Sequence, residues 1–192
     1  MAPPLLSFQP WPVDPVLAHA LAAALAVVLL LGAWAKWRDL DGFRHSVAAY
    51  QLLPAALLPA FGLLLPLWEL GCGLAVLLAP SAALTGPATA VLLLTVTGAI
   101  GVNLLRGHRD IGCGCSGLTS QATEPRLSWP LVVRNALLLL AMAGATGATR
   151  DRPLFWIDNL SVAGTTLALL GLYAAAHQLL THHPRLMTIK RS

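Results

Sequence analysis

Long uncharged runs alternate with short polar gaps along the chain. Residues 15–35, 45–68 and 70–105 contain no Asp, Glu, Lys or Arg, and Glu69 alone separates the last two runs. A helix needs about 20 apolar residues to cross a bilayer. Because the Pro- and Gly-containing segment 79–87 divides the longest run into two passes, the pattern predicts five spans. They are expected at about 15–35, 58–79, 84–105, 129–149 and 159–180.

The polar gaps predict the connecting elements. Prolines at 54, 59 and 66 favour a helix at about 46–57 that lies in the membrane interface, followed by the second span. A polar loop at 106–128 precedes Ser128, a suitable N-cap for the fourth span, and Asp158 or Asn159 is expected to cap the fifth. Five spans leave no room for a soluble domain, so residues 1–192 are expected to form a single integral membrane domain.

Composition excludes a water-soluble globule and supports an all-α, polytopic membrane helix bundle. Hydrophobic residues make up 57% of the chain and charged residues only 10%, whereas soluble domains are about 25% charged. The net charge is +4. Because the basic residues lie in gaps between spans and do not form a polar face, we expect a lipid bilayer and no nucleic acid as partner.

The basic residues also predict the orientation. They follow the first, third and fifth spans, and only Arg150 and Arg152 lie in the alternate gaps. The positive-inside rule therefore predicts a cell-membrane protein with its N-terminus outside and its C-terminus in the cytoplasm. Arg134, one turn into the fourth span, is expected to reach the same inner surface. The residues that set this bias are Lys36, Arg38, Arg44, Arg106, Arg109, Arg126, Arg185, Lys190 and Arg191.

The strongest candidate chemistry is a pair of thiols in the loop after the third span. Cys113 and Cys115 are separated by one glycine, and two thiols so spaced can close into a strained, labile disulfide. The neighbouring His108 and Arg109 favour the thiolate over the thiol. Two other interpretations stay open: a static disulfide, or unpaired cysteines packed at the membrane surface. A metal site that includes His108 would lack the usual Cys-x₂₋₄-Cys spacing, so we expect no metal.

Glu69 and Cys72 are the two reactive residues inside a predicted span. They are three residues apart and share one helix face. An acid within a membrane helix indicates function, with a protonated or Arg-paired structural carboxylate as the alternative. Cys72 lies between two glycines, so it is either a small residue at a close helix contact or a third redox thiol that relays to the loop pair.

The order of these motifs resembles the methylamine utilisation protein MauE family, which is related to the DoxX-like four-helix membrane proteins. The resemblance covers about residues 16–148, and the Cys-Gly-Cys-x-Gly element is its most specific part. It implies a four-helix core with a fifth, C-terminal span. The motifs are Gly32-Ala33-Trp34-Ala35-Lys36, residues 43–54, Trp68-Glu69-Leu70 and residues 109–117.

The resemblance implies a membrane protein that acts in thiol–disulfide redox chemistry and supports maturation of a disulfide-containing exported protein, together with a thioredoxin-like partner. Cys113 and Cys115 would be the redox pair and Glu69 the characteristic acid of the second span. We expect no resident cofactor, with a quinone as the open alternative. A thiol–disulfide oxidoreductase and a non-catalytic assembly factor or chaperone that docks a thioredoxin-like partner both fit these residues.

The predicted orientation and the predicted chemistry disagree on the side of the membrane. The basic residues place Cys113 and Cys115 on the cytoplasmic side, whereas exported proteins form disulfides outside. Three explanations stay open: the bundle conducts electrons across the membrane, the loop folds into the bundle, or the orientation is inverted.

Overall fold

A computed structural model describes residues 13–108, 111, 127–147 and 153–189, with side chains described up to residue 178. In these ranges the chain forms six α-helices, and a short 3₁₀ turn at Ala55–Leu57 precedes the third. The helices are α1 Pro15–Arg38, α2 Leu40–Ala49, α3 Leu58–Leu78, α4 Thr85–Leu105, α5 Trp129–Thr146 and α6 Trp156–Ile189.

Five of these helices are long and apolar enough to cross a membrane, α1 and α3 to α6. This confirms the predicted all-α, multi-pass membrane bundle. Helix α1 continues to Arg38, three residues beyond the predicted span, so Lys36 lies inside the helix and not in the loop after it. Helix α6 begins at Trp156, because the Asp158 carboxylate accepts a hydrogen bond from the Phe155 N–H (2.9 Å). Asp158 therefore lies within the first turn and does not precede the helix.

Helix α2 lies earlier in the chain than the interfacial helix predicted at 46–57. Asp39 caps it by accepting a hydrogen bond from the Gly42 N–H (3.0 Å), which starts the helix at Leu40. It ends at Ala49, and Gln51 follows with a positive φ of 51°. Because charged residues lie at the start of α2, the hydropathy pattern did not indicate where this helix begins.

Helix α1 packs against α2, α3, α5 and α6. Glycines permit its closest contacts: a Cβ on Gly73 of α3 would lie 3.0 Å from the Leu30 side chain, and one on Gly144 of α5 would lie 2.8 Å from Leu21. Inside a membrane the hydrophobic effect does not drive helices to associate. Small residues contribute instead, because they let the helices pack closely. The main core comprises Ala22, Leu25, Ala26, Leu29, Phe43, Leu65, Cys72, Val76, Leu92, Leu93, Met142 and Ala145.

A second apolar cluster closes one end of the bundle. It brings together Tyr50 after α2, the last turns of α4 and the first turns of α5, with Ile111 packed against it. The Leu127 N–H donates to the Ile111 carbonyl (3.1 Å). We call this end, where α1 and α4 finish and α3 and α5 begin, the loop end. The cluster comprises Tyr50, Ile100, Leu104, Leu127 and Leu131.

Candidate functional site

A buried ion pair joins α1 to α3. The Lys36 ammonium lies 2.7 Å from the Glu69 carboxylate, and their side chains are only 9% and 15% exposed. Lys36 also donates to the Gly32 carbonyl (3.4 Å) one turn earlier and lies 5.8 Å from the centre of the Phe43 ring. Opposite charges neutralise each other here, which is how membrane helices accommodate ionisable groups.

Gly32 makes room for the carboxylate. A Cβ at this position would lie 2.6 Å from Glu69 Oε1 and 3.3 Å from its carboxyl carbon. Because contacts below 3.0 Å do not occur for real Cβ atoms, any larger residue would displace the Glu69 side chain. The Gly32-x-x-x-Lys36 spacing thus presents both a gap and a counter-ion on one face of α1.

Lys36 is the functional residue that the sequence pattern misassigned. Its position at the end of an uncharged run indicated a topology signal, but the residue is only 8% exposed and faces α3. The available clue was Glu69 itself, since an acid inside a span calls for a cation. The predicted partners for that acid included arginine but not Lys36.

A cavity of about 330 Å³ adjoins the ion pair. It lies among the five spans and α2, and its walls are mainly aliphatic and aromatic. The charged residues that line it are Lys36, Glu69 and Arg134. Ligand sites in proteins are typically apolar clefts of about 300–1,000 Å³ with a few polar groups, so this cavity is a candidate binding site.

Arg134, half-buried near the start of α5, lies against the cavity. Its Nε and Nη1 atoms are buried, and its guanidinium lies 6.0 Å from the centre of the Tyr173 ring on α6. Its Nη2 donates to Asn135 Oδ1 (3.3 Å), and Asn135 Nδ2 donates to Thr97 Oγ1 on α4 (3.1 Å). These contacts hold the guanidinium between α4, α5 and α6.

Cys72 is a free, buried thiol in the core between α3 and α4. It interacts with Thr89, and Thr89 precedes the end of α4 at Leu105 by 16 residues. At 1.5 Å per residue, this is about 24 Å along the helix from the loop end. A relay from Cys72 to the loop would therefore have to cover most of the bundle. The close helix contact is made by neighbouring Gly73, whereas a Cβ on Gly71 would meet nothing within 4 Å.

His108 lies just beyond α4 at the loop end. The chain turns at Gly107, whose φ is +81°, a conformation that suits glycine after a helix. The His108 N–H donates to the Asn103 carbonyl (3.0 Å), and its Nδ1 lies 3.3 Å from Asn103 Oδ1. Asn103 in turn donates to the Ala99 carbonyl (3.1 Å).

The other predicted site residues, Arg109, Cys113 and Cys115, lie outside the described residues. The structure therefore brings Glu69 together with Lys36, and His108 together with Asn103, but does not describe the thiol pair. Within the described ranges, no three His, Cys, Asp or Glu side chains are grouped to hold a metal ion.

The fold and the buried charges define an all-α, multi-pass membrane protein with an internal ion pair beside an apolar cavity. A family model described as methylamine utilisation protein MauE matches residues 14–148, and the chain belongs to this family.

Curated relatives match over most of their length. The chain is 32% identical to methylamine utilization protein MauE of Paracoccus denitrificans, over 85% of this chain and 88% of the relative. It is 34% identical to the MauE of Methylophilus methylotrophus, over 81% and 78% respectively. It is 31% identical to that of Paracoccus versutus, over 92% and 96%. No solved structure matches the chain significantly.

Proposed function

We propose that this chain is an accessory membrane protein of methylamine utilisation that carries out thiol–disulfide exchange during maturation of a disulfide-containing exported protein. The names of its relatives support the pathway. The redox role rests on Cys113 and Cys115, which are separated by one glycine and preceded by basic residues. A thioredoxin-like protein is the proposed exchange partner.

One observation carries the proposal: the hydrogen bond between Ile111 and Leu127 joins the two residues that flank the segment 112–126, which contains the Cys-Gly-Cys element, at the second apolar cluster. Cys113 is two residues beyond Ile111. Since an extended residue spans at most about 3.6 Å, the Cα atoms of these residues are separated by no more than about 7 Å. Because Ile111 packs against the cluster at the loop end, we propose that the exchange takes place at this end of the bundle.

The proposed exchange follows ordinary disulfide chemistry. The Cys115 thiolate attacks one sulfur of the partner disulfide, forms a mixed disulfide and releases the other partner sulfur as a thiolate, which takes up a proton. The Cys113 thiolate then attacks the Cys115 sulfur. This closes the Cys113–Cys115 disulfide and releases the second partner thiolate. The partner has gained two electrons and the pair has lost them, and the reverse sequence oxidises the partner.

In this proposal His108 and Arg109 stabilise the thiolates, because positive charge lowers the pKa of a nearby thiol. Cys72 takes no part, since it is buried in the core about 24 Å along α4 from the loop end. Glu69 is assigned to the ion pair with Lys36.

The test is to trap the mixed disulfide. Cys113→Ala removes the resolving thiol and should accumulate a reductant-sensitive adduct with a thioredoxin-like protein on non-reducing gels. Cys115→Ala should not. Cys72→Ala is the matched control, and it should behave like the wild type. If neither loop variant traps a partner and both retain full activity, the redox role is wrong and the protein is a non-catalytic assembly factor.

We also propose that the loop end faces the cytoplasm, with the N-terminus outside. Pairing with Glu69 removes Lys36 from the count of surface charges, but Arg38, Arg44 and Arg106 remain at this end. In a Cys72→Ala background, an impermeant thiol reagent applied to intact cells should miss the reduced loop cysteines and modify them after permeabilisation. Modification from outside would invert the orientation.

A further inference from the structure

The Arg134 guanidinium has an incomplete set of partners. Among the described residues, its Nε and Nη1 atoms are buried and have no hydrogen-bond acceptor, and no carboxylate forms an ion pair with it. Buried polar groups are almost always hydrogen-bonded, and each exception calls for an explanation. The two buried N–H donors of Arg134 are such an exception.

Among the described residues, the charges that line the cavity do not cancel. Lys36 and Glu69 neutralise each other at 2.7 Å, which leaves the positive charge of Arg134 uncompensated among the lining residues. An uncompensated charge in a low-dielectric site favours an anion. The planar fork of a guanidinium matches the geometry of a carboxylate, to which it donates two parallel hydrogen bonds.

Apolar side chains make up most of the rest of the lining, which suits a hydrocarbon tail. If a methylene group occupies about the same 30 Å³ as a water molecule, a cavity of about 330 Å³ holds roughly eleven such groups. This is the volume of one acyl chain of medium length.

Four residues that line the cavity are exposed. Leu52 follows α2, and the spacing of Thr95, Gly98 and Val102 places these three on one face of α4. Thr95 is near the middle of this span. A ligand can therefore enter sideways from the hydrocarbon region of the membrane.

We propose that this cavity binds a medium-chain, single-tailed carboxylate amphiphile from the bilayer, with the carboxylate on Arg134 and the tail among α3, α4 and α5. Asn135 positions the guanidinium for this contact, and Tyr173 covers its face. The proposal uses neither loop thiol, so it can be tested independently of the proposed exchange.

The experiment measures binding of decanoate to the purified, delipidated full-length protein by native mass spectrometry. Acetate tests the charge without the tail, and decanol tests the tail without the charge. Decanoate should bind with one molecule per chain, and both control ligands should bind at least tenfold more weakly. Equal binding of acetate would indicate a site for small free anions, and equal binding of decanol would indicate a purely apolar site. Either result overturns the proposal.

Two kinds of variant separate charge from space. Arg134→Gln should weaken decanoate binding at least tenfold, and Arg134→Lys should have a smaller effect because it keeps the charge but loses the fork. Gly98→Leu adds bulk where a Cβ meets nothing within 4 Å, so it should block the cavity without a clash. The matched control is Gly101→Leu on the same helix, where a Cβ also meets nothing and which does not line the cavity.

The variants give clear outcomes even if one of them fails to fold. Loss of binding in Gly98→Leu with retention in Gly101→Leu supports the proposal independently of Arg134. Unchanged decanoate affinity in Arg134→Gln, or equal affinity in the two glycine variants, overturns it.

Discussion

Lys36 and Arg134, two cations inside the bundle, differ in whether a carboxylate neutralises them. Lys36, on the α1–α3 side, is fully neutralised by Glu69 and surrounded by close backbone packing. Among the described residues, Arg134, on the α5–α6 side, donates to the Asn135 amide, lies beside the Tyr173 ring and interacts electrostatically with His177, but it forms no ion pair with a carboxylate. The comparison separates two uses of charge in a membrane protein: a paired charge that holds two helices together, and an unpaired charge that is available to a ligand.

The helices that carry the two cations also differ in how closely they are packed. Half of the apolar window of α1 is buried inside the protein, against 6% for α6. Helix α1 is therefore enclosed by its neighbours, while α6 lies mostly against lipid. A fixed ion pair suits the enclosed side, and a site that exchanges ligands suits the loosely covered side.

The largest effect is expected from breaking the ion pair. Glu69→Ala leaves the Lys36 ammonium buried without its counter-ion, and we expect the free energy of unfolding to fall by about 3–5 kcal/mol. Unfolding in mixed detergent micelles measures this change. The control is the double variant Lys36→Met with Glu69→Leu, which removes both charges and should recover most of the loss. A decrease of less than about 1 kcal/mol in Glu69→Ala would contradict a stabilising pair.

A smaller effect is expected from closing the gap beside the pair. Gly32→Ala places a Cβ 2.6 Å from Glu69 Oε1, so the carboxylate must move away from Lys36. We expect a loss of about 1–3 kcal/mol, as for overpacked cores. The matched control is Gly71→Ala on α3, where a Cβ meets nothing within 4 Å, and a change within about 0.5 kcal/mol is expected. Equal effects in the two variants would show that the gap at Gly32 has no role.

Hydropathy was sufficient to predict the spans but not the interior of the bundle. The first four predicted spans agree with α1, α3, α4 and α5 to within about three residues, because length and apolarity alone determine whether a segment can cross a bilayer. Burial of Lys36 depends instead on the register between α1 and α3, which places Gly32 opposite Glu69. The sequence of one segment alone does not determine that register.

The same limit applies to Arg134 and to α2. An arginine one turn into a span usually reaches the surface, and the contacts of Arg134 with Asn135 and Tyr173 could not be predicted from its position in the sequence. The start of α2 was predicted six residues too late. The prediction used the run of apolar residues, whereas the Asp39 cap determines where the helix begins.

Removing Arg134 should affect stability less than breaking the ion pair, and in the opposite direction. In delipidated protein, Arg134→Gln removes an uncompensated charge from the cavity, so the free energy of unfolding should stay the same or rise by up to about 1 kcal/mol. Lys36→Gln measured in the same way should lower it, since Glu69 then loses its partner. Destabilisation of similar size in both variants would mean that Arg134 is structurally paired, and the contrast between the two cations would disappear.

The smallest effect is expected where α6 contacts α1. Thr166 Oγ1 donates to the Ala20 carbonyl at 3.5 Å, a long hydrogen bond between two helices that pack against each other. Hydrogen bonds between membrane helices contribute about 0.6 kcal/mol on average, so Thr166→Val should lower the free energy of unfolding by no more than that. Ser161→Ala is the control, because Ser161 bonds only within α6, to the Ile157 carbonyl (3.2 Å), and it should have no measurable effect. A loss above about 2 kcal/mol in Thr166→Val would show that α6 is anchored as firmly as α3, and that the α5–α6 side is not the loosely packed side of the bundle.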